Sequence, residues 1–385
     1  MNQVERWVRD PAAQAAGASF GDGAAIVETA IAIQQIAAPT FDEGRRGAYV
    51  ERQMRELGLA DVEIDAVGNV YGRRPGRAGG PGLLIAAHLD TVFPTGTDLA
   101  VRREGARIYG PGLGDNSLGV AALLHLAQAM RQHDLANAGD IWFVANVGEE
   151  GLGDLRGMRA AVDWLGARVA AAIALEGTGP DRIVHAGLGV RRYRISAAAT
   201  GGHSWQDFGV PSAIHTLVRL AAALLAGLHP AQEPRSSFNI GVIEGGTSVN
   251  TIAERAALLL DLRSVDPAAL QTMVGRVERI VADARAAEPA VTIQAEIVGD
   301  RPAGHIPQDH PLVELATAAY AAAGIATTYD AASTDANIPL SRGIPAVCVG
   351  VCDGENAHRL DEYIEPTRLV AGMRALLWLA LAATG

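Results

Sequence analysis

The run Ile85-Ala86-Ala87-His88-Leu89-Asp90 closes an apolar stretch with a histidine and, two residues later, an aspartate. Residues 83–87 read as a buried strand. Side chains at the carboxyl end of a strand in an α/β sheet face the crevice where ligands bind. A histidine there can offer one ring nitrogen to a metal. Asp90 lies on the same side of an extended chain and can take the proton of the other ring nitrogen, holding the tautomer. A strand-end histidine bonded to a loop would look the same, so the pair decides nothing alone.

Further acids occupy equivalent places. Residues 108–117 carry three glycines and a proline, the marks of an irregular loop, and deliver Asp115 just before a helix predicted over 117–132. Asp115 can cap that helix or bind a ligand; an aspartate there, with no lysine near, argues against a phosphate. A strand over 140–147 runs into Gly148-Glu149-Glu150-Gly151. Adjacent carboxylates repel unless solvent or a positive charge relieves them. A strand over 170–175 ends at Glu176, and one over 345–351 leads to Glu355-Asn356-Ala357-His358.

His88, Asp115, Glu150, Glu176 and His358 together offer nitrogen and oxygen donors. That set suits zinc, cobalt or manganese better than calcium or a thiolate site. Three carboxylates and two imidazoles suffice for two divalent ions that share one carboxylate. Such a pair can activate water and polarise a carbonyl. One nearby carboxylate must stay unligated as a base, and Glu149 beside Glu150 fits, because adjacent side chains point differently.

The elements that position these residues alternate strand and helix, with helices expected at 24–37, 43–57 (capped by Asp42), 155–165 and 311–323. This predicts an α/β fold with a mostly parallel central sheet whose carboxyl ends share one edge. From about residue 189 the order becomes β-α-β-β-α-β, a ferredoxin-like α+β unit. The expected division is therefore 1–188 and 301–385 for a catalytic domain, with 189–300 inserted.

Composition narrows the chemistry. The 385 residues are 49% hydrophobic and 19% charged, with a net charge of −11, a balance that fits a packed protein and disfavours nucleic acid. All 32 basic residues are arginine, so Schiff-base and phosphate-loop lysines are excluded. Cys348 and Cys352 are too few for a disulfide framework or a thiolate metal site and fit the core. No secretory signal or membrane span is expected, which leaves the cytoplasm as the default compartment.

The motifs His88-Leu89-Asp90, Gly114-Asp115-Asn116, Gly148-Glu149-Glu150-Gly151, Glu176, Gly201-Gly202-His203-Ser204 and Asn356-Ala357-His358 resemble those of the M20 family of co-catalytic zinc metallopeptidases. That family includes carboxypeptidase G2-like, peptidase T-like and aminoacylase-like enzymes. The resemblance implies a zinc-peptidase-like domain with a lid that mediates a homodimer. It implies two zinc ions (cobalt or manganese being the alternatives) bridged by Asp115, with His88 and Glu176 on one and Glu150 and His358 on the other. It implies that Asp90 orients His88, that Glu149 is general base and then acid, and that a cis peptide joins Asp115 and Asn116. His203 would cross the dimer to the oxyanion of the neighbouring subunit; read locally, it is a turn histidine.

Asn250 and Arg263 also look family-like, though Arg263 can be structural, paired with Asp261. Arg301 resembles the arginine that holds a substrate carboxylate; a surface ion pair is the plain alternative. Thr334 lies in Ser333-Thr334-Asp335-Ala336-Asn337, which resembles a pocket-lining loop and also reads as a helix cap. The implied substrate is a small peptide or N-acyl amino acid with a free carboxylate. Residues 147–156 instead resemble the peptidase T-like aminopeptidases, whereas Glu176 and Arg301 resemble the carboxypeptidase and deacylase branches. Two readings from other classes remain: a non-catalytic binding protein on this scaffold, and a metal-free hydrolase with Ser117 or Ser204 as nucleophile.

Overall fold

The computed structural model describes residues 3–79 and 82–384. Two compact units emerge. One joins Met1–Gly187 to His305–Gly385, and the other is Leu188–Gly304. Each has its own apolar core.

In the first unit, the strand Gly82–His88 has all seven residues buried and Ile141–Asn146 all six. Continuous apolar runs of this kind are what strands covered on both faces require. Both strands lie in a 12-stranded mixed sheet. Four neighbours, Ile141–Asn146, Gly82–His88, Val169–Thr178 and Ala346–Glu355, run parallel at its centre. The margins are antiparallel: Val70–Arg74 pairs with Ile141–Asn146, and Tyr363–Glu365 with Ala346–Glu355. The expectation of a mostly parallel sheet therefore holds for the four central strands and for the pair Arg182–Gly187 and Thr328–Ala332, while the sheet as a whole is mixed. A short loop joins Ala346–Glu355 to Tyr363–Glu365, and a short return favours antiparallel pairing.

Helices cover the parallel centre. Leu118–Gln132 buries 11 residues against it, and the helix Leu369–Ala383 packs among the core residues along its apolar length. Gly372 lets that last helix lie close: an added Cβ would sit 2.1 Å from the Val351 carbonyl oxygen. Two short helices, Gln3–Arg9 and Pro11–Ala18, and a hairpin of Arg102–Glu104 with Arg107–Tyr109 were not expected. The strands Ala60–Ile64 and Val70–Arg74 pair antiparallel across a turn.

In the second unit, strands Gly189–Ala198, Ser236–Gly245, Arg255–Ser264 and Thr292–Arg301 form an antiparallel sheet with Arg255–Ser264 and Gly189–Ala198 central. Helices Ala213–Gly227 and Pro267–Ala287 complete a ferredoxin-like order. The boundary falls after Gly304 rather than at 300, because Arg301 still pairs with Val190 in this sheet.

Phe143 is 0% exposed at the middle of a central strand. Phe143→Ala is expected to destabilise the first unit by about 3–5 kcal/mol through lost transfer energy and a residual cavity. Urea denaturation checks this; a loss below about 1 kcal/mol would mean the sheet centre is not closely packed.

Candidate metal centre and active site

The parallel strands bring their carboxyl ends to one edge of the sheet, and the predicted ligands gather there. His88 closes its strand, Glu176 lies near the end of Val169–Thr178, and Glu150 follows Ile141–Asn146 by four residues. Two overlapping triads result, His88–Asp115–Glu176 and Asp115–Glu150–His358, with the donor atoms of each within 4.8 Å of one another. Asp115 is common to both. Its Oδ1 is 3.1 Å from His88 Nε2, and its Oδ2 is 3.1 Å from His358 Nε2. His358 Nε2 also lies 3.0 Å from Glu150 Oε1, and His88 Nε2 lies 3.7 Å from Glu176 Oε2.

The Asp115–Asn116 peptide is cis. The Asn116 side chain enters the edge of the Glu176 strand, where Nδ2 donates to the Leu175 carbonyl at 2.8 Å and Oδ1 accepts from Gly177 N at 2.9 Å. Gly177 permits the approach, since a Cβ there would sit 2.2 Å from the Gly114 oxygen. His358 and Asn356 both have positive φ, 68° and 65°, a left-handed backbone that asparagine and histidine adopt more readily than most non-glycine residues.

Asp90 does something other than expected. His88 Nδ1 faces the Asp90 main-chain oxygen at 3.0 Å, while the Asp90 carboxylate is farther, at 3.6 Å. That buried carboxylate instead accepts the main-chain N–H of Glu149 at 2.9 Å, that of Glu150 at 3.0 Å, and the Thr40 hydroxyl at 2.9 Å. It therefore sets the His88 tautomer through its backbone and positions the glutamate pair through its side chain. Glu149 is buried beside Glu150.

The electrostatics favour a cation. Burial alone would depress the His88 pKa, yet Asp115, Asp90 and Glu176 hold it well above the ordinary value. Asp115 and Glu150 push His358 up to about 10. Burial raises Asp115, but His358 and His88 outweigh it and hold Asp115 below the usual carboxylate range. Burial lifts Glu176. Protons are thus drawn onto both imidazoles by clustered carboxylates, the field a divalent ion also answers. The donor set, two imidazoles and three carboxylates in two triads, fits two such ions.

Several supporting residues carried no local signal. Glu362 is 1% exposed and accepts main-chain N–H groups from the Asp115 loop. Glu43 accepts Gly148 N at 3.1 Å and the Arg156 guanidinium at 2.6 Å. Buried Arg46 donates to the carbonyls of Leu89 at 2.7 Å and Ile36 at 2.9 Å, and burial lowers its pKa to about 10. Only the spacing of Glu362, four residues beyond His358, could have drawn attention.

The remaining candidates lie apart in the chain. Thr334, in the first unit, is buried; its Oγ1 accepts Ala336 N at 3.2 Å, so the turn role is present. In the second unit, Gly202–His203 pairs with Thr251–Ile252, and Ser204 N donates to the Asn250 carbonyl at 3.0 Å, which brings His203 and Asn250 together. Arg301 is buried at the end of its strand. Arg263 pairs with Asp261 at 2.7 Å. Ser117 is buried and donates to the Gly112 carbonyl at 2.6 Å, an arrangement with no base to activate it.

The sequence profile of peptidase family M20/M25/M40 matches residues 84–382. The chain belongs to this family. A candidate succinyl-diaminopimelate desuccinylase, DapE, of Mycobacterium tuberculosis is 28% identical over 365 residues, covering 91% of this chain and 96% of that protein. Carboxypeptidase G2 of a Pseudomonas species is 32% identical over 111 residues, 27% of this chain and 26% of that one. Among solved structures, a tripeptidase of Staphylococcus aureus superposes with a TM-score of 0.77 at 22% identity, covering 93% of this chain and 98% of that one, a likeness of fold. As an M20 enzyme, the chain is a metal-dependent hydrolase of amide bonds.

Asp90→Asn would turn one accepting oxygen toward the Glu149–Glu150 backbone into an N–H donor. The expected result is a kcat about 10–100-fold lower with KM changed far less, as for other residues that orient a metal site. Steady-state kinetics on one amide substrate decides it; an unaltered kcat would remove Asp90 from the positioning role.

Proposed function

We propose that this M20 enzyme cleaves the amide of a small peptide or N-acyl amino acid bearing a free carboxylate, with Glu149 as the proton-transferring group. The observation that carries the reading is the pair of triads sharing Asp115 beside the buried Glu149–Glu150 pair. His88, Asp115 and Glu176 would hold one ion, and Asp115, Glu150 and His358 the other, zinc being favoured by the mixed nitrogen and oxygen donors. Bound there, the ions supply Lewis acidity to the attacking water and the scissile carbonyl.

The chain's own residues supply the rest. Glu149 takes a proton from the attacking water and returns it to the leaving amine. Asp90 fixes the main chain of that glutamate. His203 is a donor suited to the oxyanion. Its Nδ1 accepts Trp205 N at 3.2 Å and Gln206 N at 3.3 Å, so the ring proton of the neutral form sits on Nε2, pointing away from the turn. Arg301 offers a guanidinium fork for the substrate carboxylate, with Asn250 and Thr334 as polar contacts. Two free, buried cysteines suit a reducing cytoplasm, and no helix among the described residues is long and apolar enough to cross a membrane.

A homodimer through the second unit belongs to the same proposal. Trp205 and Phe208 are 85% and 88% exposed, and the strand Ser236–Gly245 lies at the sheet edge with Val242 and Ile243 exposed. An uncovered edge with apolar side chains invites pairing. Sedimentation at micromolar concentration is expected to give a dimer; a monomer with full activity would refute the crossing role of His203.

The functional test is a panel of dipeptides, tripeptides and N-acyl amino acids, each also N-blocked or C-amidated, run with zinc-, cobalt- and manganese-loaded and with chelator-treated protein. Hydrolysis is expected to tolerate N-blocking, to fail on C-amidation, and to vanish with chelator. Arg301→Ala should raise KM for carboxylate substrates at least tenfold. The opposite end preference would make the enzyme an aminopeptidase, and an unchanged KM would dismiss Arg301 as the anchor.

A further inference from the structure

Glu362 is a buried acid beside the centre, 1% exposed, that proton transfer and metal ligation leave unused. It lies four residues past His358 in the chain. Its Oε2 accepts Gly112 N at 2.8 Å; its Oε1 accepts Gly114 N at 2.7 Å and Asp115 N at 2.9 Å. The Glu362 main-chain oxygen accepts Gly110 N at 2.9 Å. One residue thus holds four N–H groups of the loop that carries Asp115.

The loop is shaped for this. Gly112 has φ 72°, which turns successive N–H groups inward. At Gly114 a Cβ would meet Glu362 Oε1 at 3.2 Å and the Thr178 methyl at 2.9 Å, so the main chain approaches with no side chain between. On its other flank, Asp115 is followed by Asn116, which is fastened to the Glu176 strand. The Asp115 backbone is therefore pinned from both sides, and only its own side-chain torsions remain. Metal–ligand distances tolerate errors of only about 0.2 Å, so a ligand that must serve two ions needs such a fixed backbone.

We propose that Glu362 is a positioning residue. Its carboxylate fixes the Asp115 loop against the His358 turn and so sets the bridging geometry of Asp115. The proposal rests on the reading of Asp115 as the shared ligand.

The test uses full-length Glu362→Gln, which keeps the side-chain shape but sets an NH2 group against at least one loop N–H. Three quantities are read: the affinity of the protein for cobalt by chelator competition, the visible absorption of the cobalt-loaded protein, and the urea midpoint of the metal-free protein. The expected result is cobalt affinity about 10–100-fold weaker, an altered cobalt spectrum, and kcat reduced with KM within twofold. A wild-type affinity and spectrum in the folded variant would overturn the proposal, whether or not the urea midpoint moves, because the role would then be structural alone. If Glu362→Gln fails to fold, Glu362→Asp, which keeps the charge and shortens its reach, is read against the same outcomes. Wild-type protein that binds no divalent ion, or binds two after Asp115→Ala, would instead defeat the reading of Asp115 itself.

Discussion

Carboxylates held by main-chain N–H groups are the interaction on which the rest of this centre depends. Two carboxylates about 4 Å apart repel by roughly 4 kcal/mol at an effective dielectric near 20. The centre gathers Asp90, Asp115, Glu149, Glu150, Glu176 and Glu362 around the imidazoles of His88 and His358. A hydrogen bond to a charged group contributes about 1.5–3 kcal/mol. Asp90 accepts two loop N–H groups and Glu362 accepts three, while Glu43 takes Gly148 N and the Arg156 cation. Each supporting acid thus accepts N–H groups from the loop it restrains, and for Glu362 burial outweighs those bonds and raises the carboxyl to about 7. The ligand acids are left to imidazole and metal.

That arrangement needs the parallel centre of the sheet. Only parallel neighbours release their chains at the same edge, so His88, the Glu149–Glu150 turn, Glu176 and the segment leading to His358 emerge side by side. The loop of Asp115 does not belong to any of these strands. It reaches the edge because Gly177 leaves room and because Asn116 and Glu362 grip it from either side. The antiparallel margins widen the sheet without adding to that edge; Tyr363–Glu365 contributes differently, by following directly on Glu362.

What could be read from the sequence has a physical boundary. The five ligand candidates were legible because each follows an apolar strand or sits in a glycine-rich loop, and both patterns are local. The ferredoxin-like order of the second unit was legible for the same reason, since hydrophobic period and turn residues fixed each element in turn. Glu43 shows where such signals fail. Local rules made Asp42 the cap of the next helix, yet that helix is Gly44–Glu56 with Glu43 at its cap position and no capping side-chain bond; the Glu43 side chain goes instead to Gly148 and Arg156. Glu362, Arg46 and Asp90 likewise bind main-chain atoms, which every residue possesses, so their partners leave no trace in composition. Glu362 meets Gly112 across 250 positions of chain. The short hairpin at 102–109 was missed because three-residue strands lack enough alternation to register.

The acidity of the centre also bears on which substrate end can be recognised. By side chains alone, the edge of the sheet is strongly negative, and such a field attracts an ammonium and repels a carboxylate. Bound divalent ions are the largest local charges in a site of this kind and reverse that preference. With two such ions in place, four positive charges stand against the same carboxylates, and the repulsion of a substrate carboxylate is largely removed. A guanidinium that anchors a substrate carboxylate, the role proposed for Arg301, would then need to supply direction rather than overcome the field, which a planar fork does well. Under the proposed reading, recognition of a free carboxylate and retention of the metals would therefore be coupled, and the carboxylates that hold the loops in place would contribute to both.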